Sequence, residues 1–81
     1  MKTYLIKSNQ TVKATCSNAE LAEGALKIVR HDLLQRGITV VCDEPRRFEF
    51  YFGWEQTHVT WVIEEVDVLD SLEAVMHQLG L

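Results

Sequence analysis

The stretch Phe48-Glu49-Phe50-Tyr51-Phe52-Gly53-Trp54-Glu55-Gln56-Thr57-His58-Val59-Thr60-Trp61-Val62-Ile63 decides the fold. Large apolar residues stand at 48, 50 and 52 and again at 59, 61 and 63. A period of two belongs to β-strands, whose successive side chains point to opposite faces. Gly53-Trp54-Glu55-Gln56 breaks the alternation and reads as the turn of a hairpin. Residues paired across a sheet share a face, so parity sets the register. Phe48 is expected opposite Trp61, Phe50 opposite Val59 and Phe52 opposite Thr57, forming an aromatic inner face. Glu49 opposite Thr60 and Tyr51 opposite His58 form a polar outer one.

Upstream, Ile38-Val40-Cys42 alternates in the same way. Asp43-Glu44-Pro45-Arg46 makes the turn, because proline cannot donate to a central ladder. That parity sets Cys42 opposite Phe48, Val40 opposite Phe50 and Ile38 opposite Phe52. Before this strand, Ser17-x-x-Glu20 reads as a capping box opening a helix that runs to about Arg36 and stops at Gly37. Its apolar stripe is Ala19, Ala22, Leu26, Val29 and Leu33, widened by Leu21, Ala25 and Ile28. Glu23 and Lys27 lie at the favourable i,i+4 spacing on the opposite surface. Tyr4–Lys7 and Thr11–Cys16 read as two short strands around Ser8-Asn9-Gln10.

Downstream of Ile63, a last helix is expected from Val68 or Ser71 to Leu79. Asp67 or Asp70 is its cap, Gly80 its stop, and Leu69, Leu72, Val75, Met76 and Leu79 its buried stripe. The expected architecture is α+β, a single compact domain over residues 1–81 in the order ββ-α-βββ-α. It comprises an antiparallel three-stranded meander and a short N-terminal hairpin, with both helices packed on the Phe/Trp face. Parity leaves open whether the hairpin joins the main sheet.

Charge is distributed unevenly along the chain. Residues 1–47 carry all eight Lys and Arg against five Asp and Glu, a formal +3; residues 48–81 carry seven acidic and no basic residues, a formal −7. The net charge of −4 argues against general affinity for nucleic acid or anionic membrane, which takes an excess of basic residues. No uninterrupted apolar run approaches the ~20 residues that span a bilayer, and the start lacks the apolar stretch of a signal peptide. A cytoplasmic location is the expectation. Cys16 and Cys42 continue alternating apolar patterns without any CxxC spacing, and are expected as reduced core cysteines.

Three features carry candidate function. The first is the cluster Glu64, Glu65, Asp67, Asp70 and Glu73, partly explained as carboxylates at a helix N-terminus. Glu64 and Glu65 exceed what capping needs and have no basic neighbour in sequence, which suits a surface for a basic partner. The second is Trp54 at a hairpin tip, where a large ring is hard to bury and suits a binding contact. The third is the outer sheet face with Glu49, Tyr51, His58 and Thr60, a carboxylate, a phenol and an imidazole within reach of acid–base chemistry only if a pocket adjoins them. His31, His58 and His77 lack zinc spacing, and the four scattered glycines form no nucleotide-binding loop, so no metal or cofactor is expected.

The order of elements from residue 18 to 81, α-βββ-α, resembles that of double-stranded RNA-binding domains. The resemblance implies a lysine-rich start to the second helix and a Gly-Pro/His loop. Here that helix start is Asp67-Val68-Leu69-Asp70-Ser71, and neither loop element is present, so RNA binding through that face is not expected. The reading is a small non-enzymatic acidic protein that binds another protein stoichiometrically as inhibitor or regulator. A phage-type inhibitor of a host defence nuclease, such as a CRISPR complex, fits its size and charge. The expected contact residues are Glu64, Glu65, Asp67, Asp70, Trp54, Tyr51 and Glu49. The alternative is a nucleic-acid-associated regulator using the basic N-terminal half, with Lys27, Arg30, Arg46 and Arg47. Homodimerisation through the outer face or an unpaired strand edge is compatible with either.

Overall fold

The computed structural model describes residues 2–69 and 71–80. Its elements in chain order are β1 (Lys2–Ser8), β2 (Thr11–Cys16), α1 (Ala19–Leu34), β3 (Thr39–Glu44), β4 (Arg47–Phe52), β5 (Thr57–Asp67) and α2 (Leu72–Gln78). All five strands belong to one antiparallel sheet in the order β2-β1-β5-β4-β3. The protein is therefore α+β with two helices. The N-terminal hairpin is part of the main sheet, and β5 is the strand that joins it to the β3–β4 pair.

The β4–β5 register is the one that alternation sets: Phe48 faces Trp61, Phe50 faces Val59, Phe52 faces Thr57, Glu49 faces Thr60 and Tyr51 faces His58. The β3–β4 register follows parity only as far as Val40 opposite Phe50. A bulge between Val40 and Cys42 then places Cys42 opposite Glu49 and Asp43 opposite Phe48. An extra residue on one strand reverses the facing of all that follow. Cys42 thus leaves the core face, contrary to expectation, whereas Cys16 packs against the core; both are half-buried free thiols.

Inside the sheet face, Ile6 and Ile63 meet Ala22 and Leu26 of α1, with Tyr4, Cys16, Ala25 and Trp61 packed around them. Phe48 and Phe50 are also buried. Asn18, not Ser17, caps α1: its Oδ1 accepts from the Leu21 N–H at 2.9 Å, and its backbone is extended. Leu21 and Ile28 lie outside the buried stripe, Ile28 being 73% exposed. Glu23 pairs with Arg46 beyond β3 at 2.9 Å instead of with Lys27.

The expectation that both helices cover the sheet fails for α2. Helix α1 packs on β1, β2 and β5, and α2 has no comparable packing among the described elements. None of its residues is buried, and Leu72 and Leu79 are 75% and 69% exposed. The reason lies in β5, which does not end at Ile63. Lys2, Thr3, Tyr4 and Leu5 of β1 hold Asp67, Val66, Glu65 and Glu64 in the ladder, so the chain leaves the sheet only after Asp67. The helix then begins at Leu72, capped by Ser71 Oγ accepting from the Ala74 N–H at 3.1 Å. Asp67 is a strand residue and not the cap; Asp70 lies outside the described residues. The extended shape shows in a Cα radius of gyration of 15.7 Å, against about 12 Å for a compact chain of this length. No helix among the described residues is long and apolar enough to cross a membrane.

Candidate functional site

Because α1 covers one face of the sheet, the other is open, and the β4–β5 register decides what stands on it. Glu49 lies between Arg47 and His58: Arg47 on its own strand donates to Oε1, and His58 Nε2 lies 3.2 Å from Oε2. The Arg47 guanidinium is the main reason why the Glu49 carboxyl sits below the usual carboxylate range; the His58 hydrogen bond adds to it, and partial desolvation opposes it. The Tyr51 ring lies beside the His58 ring, with centroids 5.1 Å apart and planes tilted by 35°.

Beside this group is an open depression of about 530 Å³, lined by Lys7, Asn9, Arg47, His58, Thr60 and Glu64 among others. The β1–β2 turn forms one wall. Asn9 and Gln10 both have left-handed backbones, with φ of 48° and 71°, as a two-residue hairpin turn that follows sheet twist requires. Asn9 is tied to β5 twice, its N–H donating to Thr60 O and its Oδ1 accepting from Thr60 N–H, both at 2.9 Å. The arrangement gives His58 a carboxylate partner that orients its ring, and it gives a ligand a mixed surface of fixed charges and an exposed phenol.

The residues singled out from sequence divide between surfaces. Glu49, Tyr51 and Glu64 share the open face. Glu65 and Asp67 point to the helix side, as their pairing with Tyr4 and Lys2 dictates. Trp54 stands at the hairpin tip, 94% exposed. Its turn is held by Gly53, whose φ is +75°, with Gln56 donating to Gly53 O through its backbone N–H at 3.3 Å and its side-chain amide at 3.2 Å.

Glu64 and Glu65 have cations in space that they lack in sequence. Lys7 Nζ lies 2.5 Å from Glu64, and Lys2 Nζ lies 3.0 Å from Glu65, which also accepts from Tyr4 Oη at 3.3 Å. The Lys2 hydrogen bond and charge hold the Glu65 carboxyl below its usual range, and Glu65 raises the Lys2 ammonium in return. Sequence reading missed Lys2, Lys7 and Arg47 as partners. Tyr4–Lys7 is readable as a strand, but the pairing of β1 with β5 is not. Arg46 makes a further tie, its guanidinium 5.7 Å from the Tyr4 ring centre while its Nε donates to Glu23, the main cause of its raised pKa.

Among the described residues, no three His, Cys, Asp or Glu side chains converge as a metal site. The chain matches no protein-family model, no curated protein and no solved structure.

Proposed function

We propose that this protein acts by binding another protein stoichiometrically, as an inhibitor or regulator and not as an enzyme, through the open sheet face and the β4–β5 hairpin tip. One observation carries the reading: Trp54 is 94% exposed on a turn braced by its own hydrogen bonds. A solvated indole carried on a braced turn is costly to leave in water and gains much on burial, the usual chemistry of a contact hot spot. Glu55 beside it, and Tyr51, Glu49 and Glu64 on the adjoining face, supply the polar surroundings. The net charge of −4 suits a partner with a basic surface, such as a nuclease or the nucleic-acid-binding complex of a phage-targeted defence system.

Ion pairing weighs against the nucleic-acid alternative. Lys2, Lys7, Arg30, Arg36, Arg46 and Arg47 each hold a carboxylate, which leaves little unneutralised charge to displace counterions from a polyanion. Affinity capture from the source cell tests the proposal. Wild-type protein is expected to retain a partner that Trp54→Ala loses while its melting temperature is unchanged. Equal capture by both would refute it, and a shift of labelled DNA or RNA at physiological salt would favour the alternative.

A further inference from the structure

Helix α2 and the far end of the helix-side sheet face are each incomplete, and in complementary ways. Leu69, Leu72, Met76 and Leu79 recur at helical spacing and are all exposed. A helix of seven residues is marginal in water without packing, so this stripe needs a surface. On the sheet, α1 leaves a groove of about 320 Å³ floored by Phe50, Phe52, Val59 and Trp61, with Leu33 as its wall. Phe52 is 51% exposed there. Lys13 lines the same groove, and α2 carries Glu73 in its first turn, so opposite charges face each other as well as apolar surfaces.

The helix does not reach the groove of its own chain. Val59 lies eight residues before Asp67 on an unbroken strand, about 26 Å away. Five Cα–Cα steps join Asp67 to Leu72 and span at most about 18 Å, so the start of α2 cannot reach Val59 of its own chain. Between the two points, Ala22 and Leu26 of α1 already occupy the face over Ile63. A second copy of the chain has no such restriction.

We infer that two copies associate by exchange, the α2 stripe of each lying in the Phe50–Phe52–Val59–Trp61 groove of the other. A two-fold arrangement fills both grooves and covers both stripes, leaving no unmatched surface to propagate a fibre. Leu69, Leu72, Met76 and Leu79 of the stripe and Phe52 of the groove are the exposed contributors; at on the order of 100 Å² of apolar surface per large side chain, two copies bury on the order of 1,000 Å², the scale of a specific interface. This inference is independent of the Trp54 surface, which stays outside the exchange.

The test is the mass of the full chain in solution by light scattering, from micromolar to submillimolar concentration. Twice the 9.3 kDa of one chain is expected. Leu72→Asp on the helix and Phe52→Asp in the groove should each raise the dimer dissociation constant roughly thirtyfold or more, as removal of a central contact does. Mixing those two variants should restore a pair, because one helix and one groove remain intact between them. Where Phe52→Asp fails to fold, Lys13→Glu paired with Glu73→Lys serves instead: each alone weakens the dimer and the two combined restore it. A monomer throughout the range overturns the inference. So does a dimer unaffected by the helix and groove changes, which would be held by a strand edge, or a mass that keeps growing beyond two copies. Trp54→Ala is expected to leave the mass unchanged, so loss of partner capture and loss of the dimer are separable.

Discussion

Lys7 Nζ on β1 lies 2.5 Å from Glu64 Oε2 on β5, a pair separated by 57 positions in the chain. Lys2 and Glu65 repeat the relationship one turn of the pleat away, on the opposite face of the same two strands. The concentration of acid in the C-terminal part of the sequence is thus largely a record of which strand lies beside which. Charges segregated along the chain become interleaved across the sheet.

The Glu49 group gives a pH dependence of known sign. Its carboxyl pKa is lowered in the folded protein from 4.5, so it contributes stability above that value and loses it as pH falls through the folded one. Glu49→Gln is expected to lower the melting temperature at pH 7. The gap from wild type should close as the pH drops below 4.5, which a series of thermal melts checks.

Burial separates the two sides of α1. Leu26 is wholly enclosed, and Leu26→Ala is expected to cost about 2–5 kcal/mol. Ile28, two positions on, is 73% exposed, and Ile28→Ala should stay within about 0.5 kcal/mol of wild type. Urea unfolding of the two variants measures the contrast.

The helix cap is a choice between neighbours. Because Asn18 and not Ser17 accepts from Leu21 N–H, Asn18→Ala should lose about 1 kcal/mol, and Ser17→Ala much less. Equal losses in chemical denaturation would restore the capping-box assignment.

The β1–β2 turn holds a residue in a conformation that costs a side chain energy. Gln10 has φ +71° without being glycine. Gln10→Gly is expected to stabilise the protein by up to about 1 kcal/mol, seen as a higher urea midpoint at unchanged slope, because glycine enters that region freely. The same change at Gln35, where φ is −82°, should destabilise.

Legibility followed the range of the signal. The alternation at Phe48–Phe52 and Val59–Ile63 is local, and it set the whole β4–β5 register. The bulge near Val41 leaves no mark in apolar periodicity, so Cys42 was placed on the wrong face. The pairing of Lys2–Leu5 with Glu64–Asp67 depends on strand order, which no local pattern encodes. Through that pairing the end of β5 and the position of α2 were misread too. Of the site, Trp54 was readable at a hairpin tip and the Glu49–Tyr51–His58–Thr60 group as a face, whereas the cations that fix its charge, Lys7 and Arg47, come from β1 and from the first position of β4.

The central position of β5 also governs the order in which the protein can assemble. Among the described strands it is the last in sequence and lies between the other two pairs, so the β1–β2 and β3–β4 hairpins form locally but have no common partner until Thr57–Asp67 has been made. Closing the sheet then requires contacts between residues 2–8 and 61–67, among the most distant in the molecule, which places folding in the slower regime of non-local topologies. A chain cut short before Thr57 would present two hairpins with bare inner edges, a form suited to aggregation and degradation.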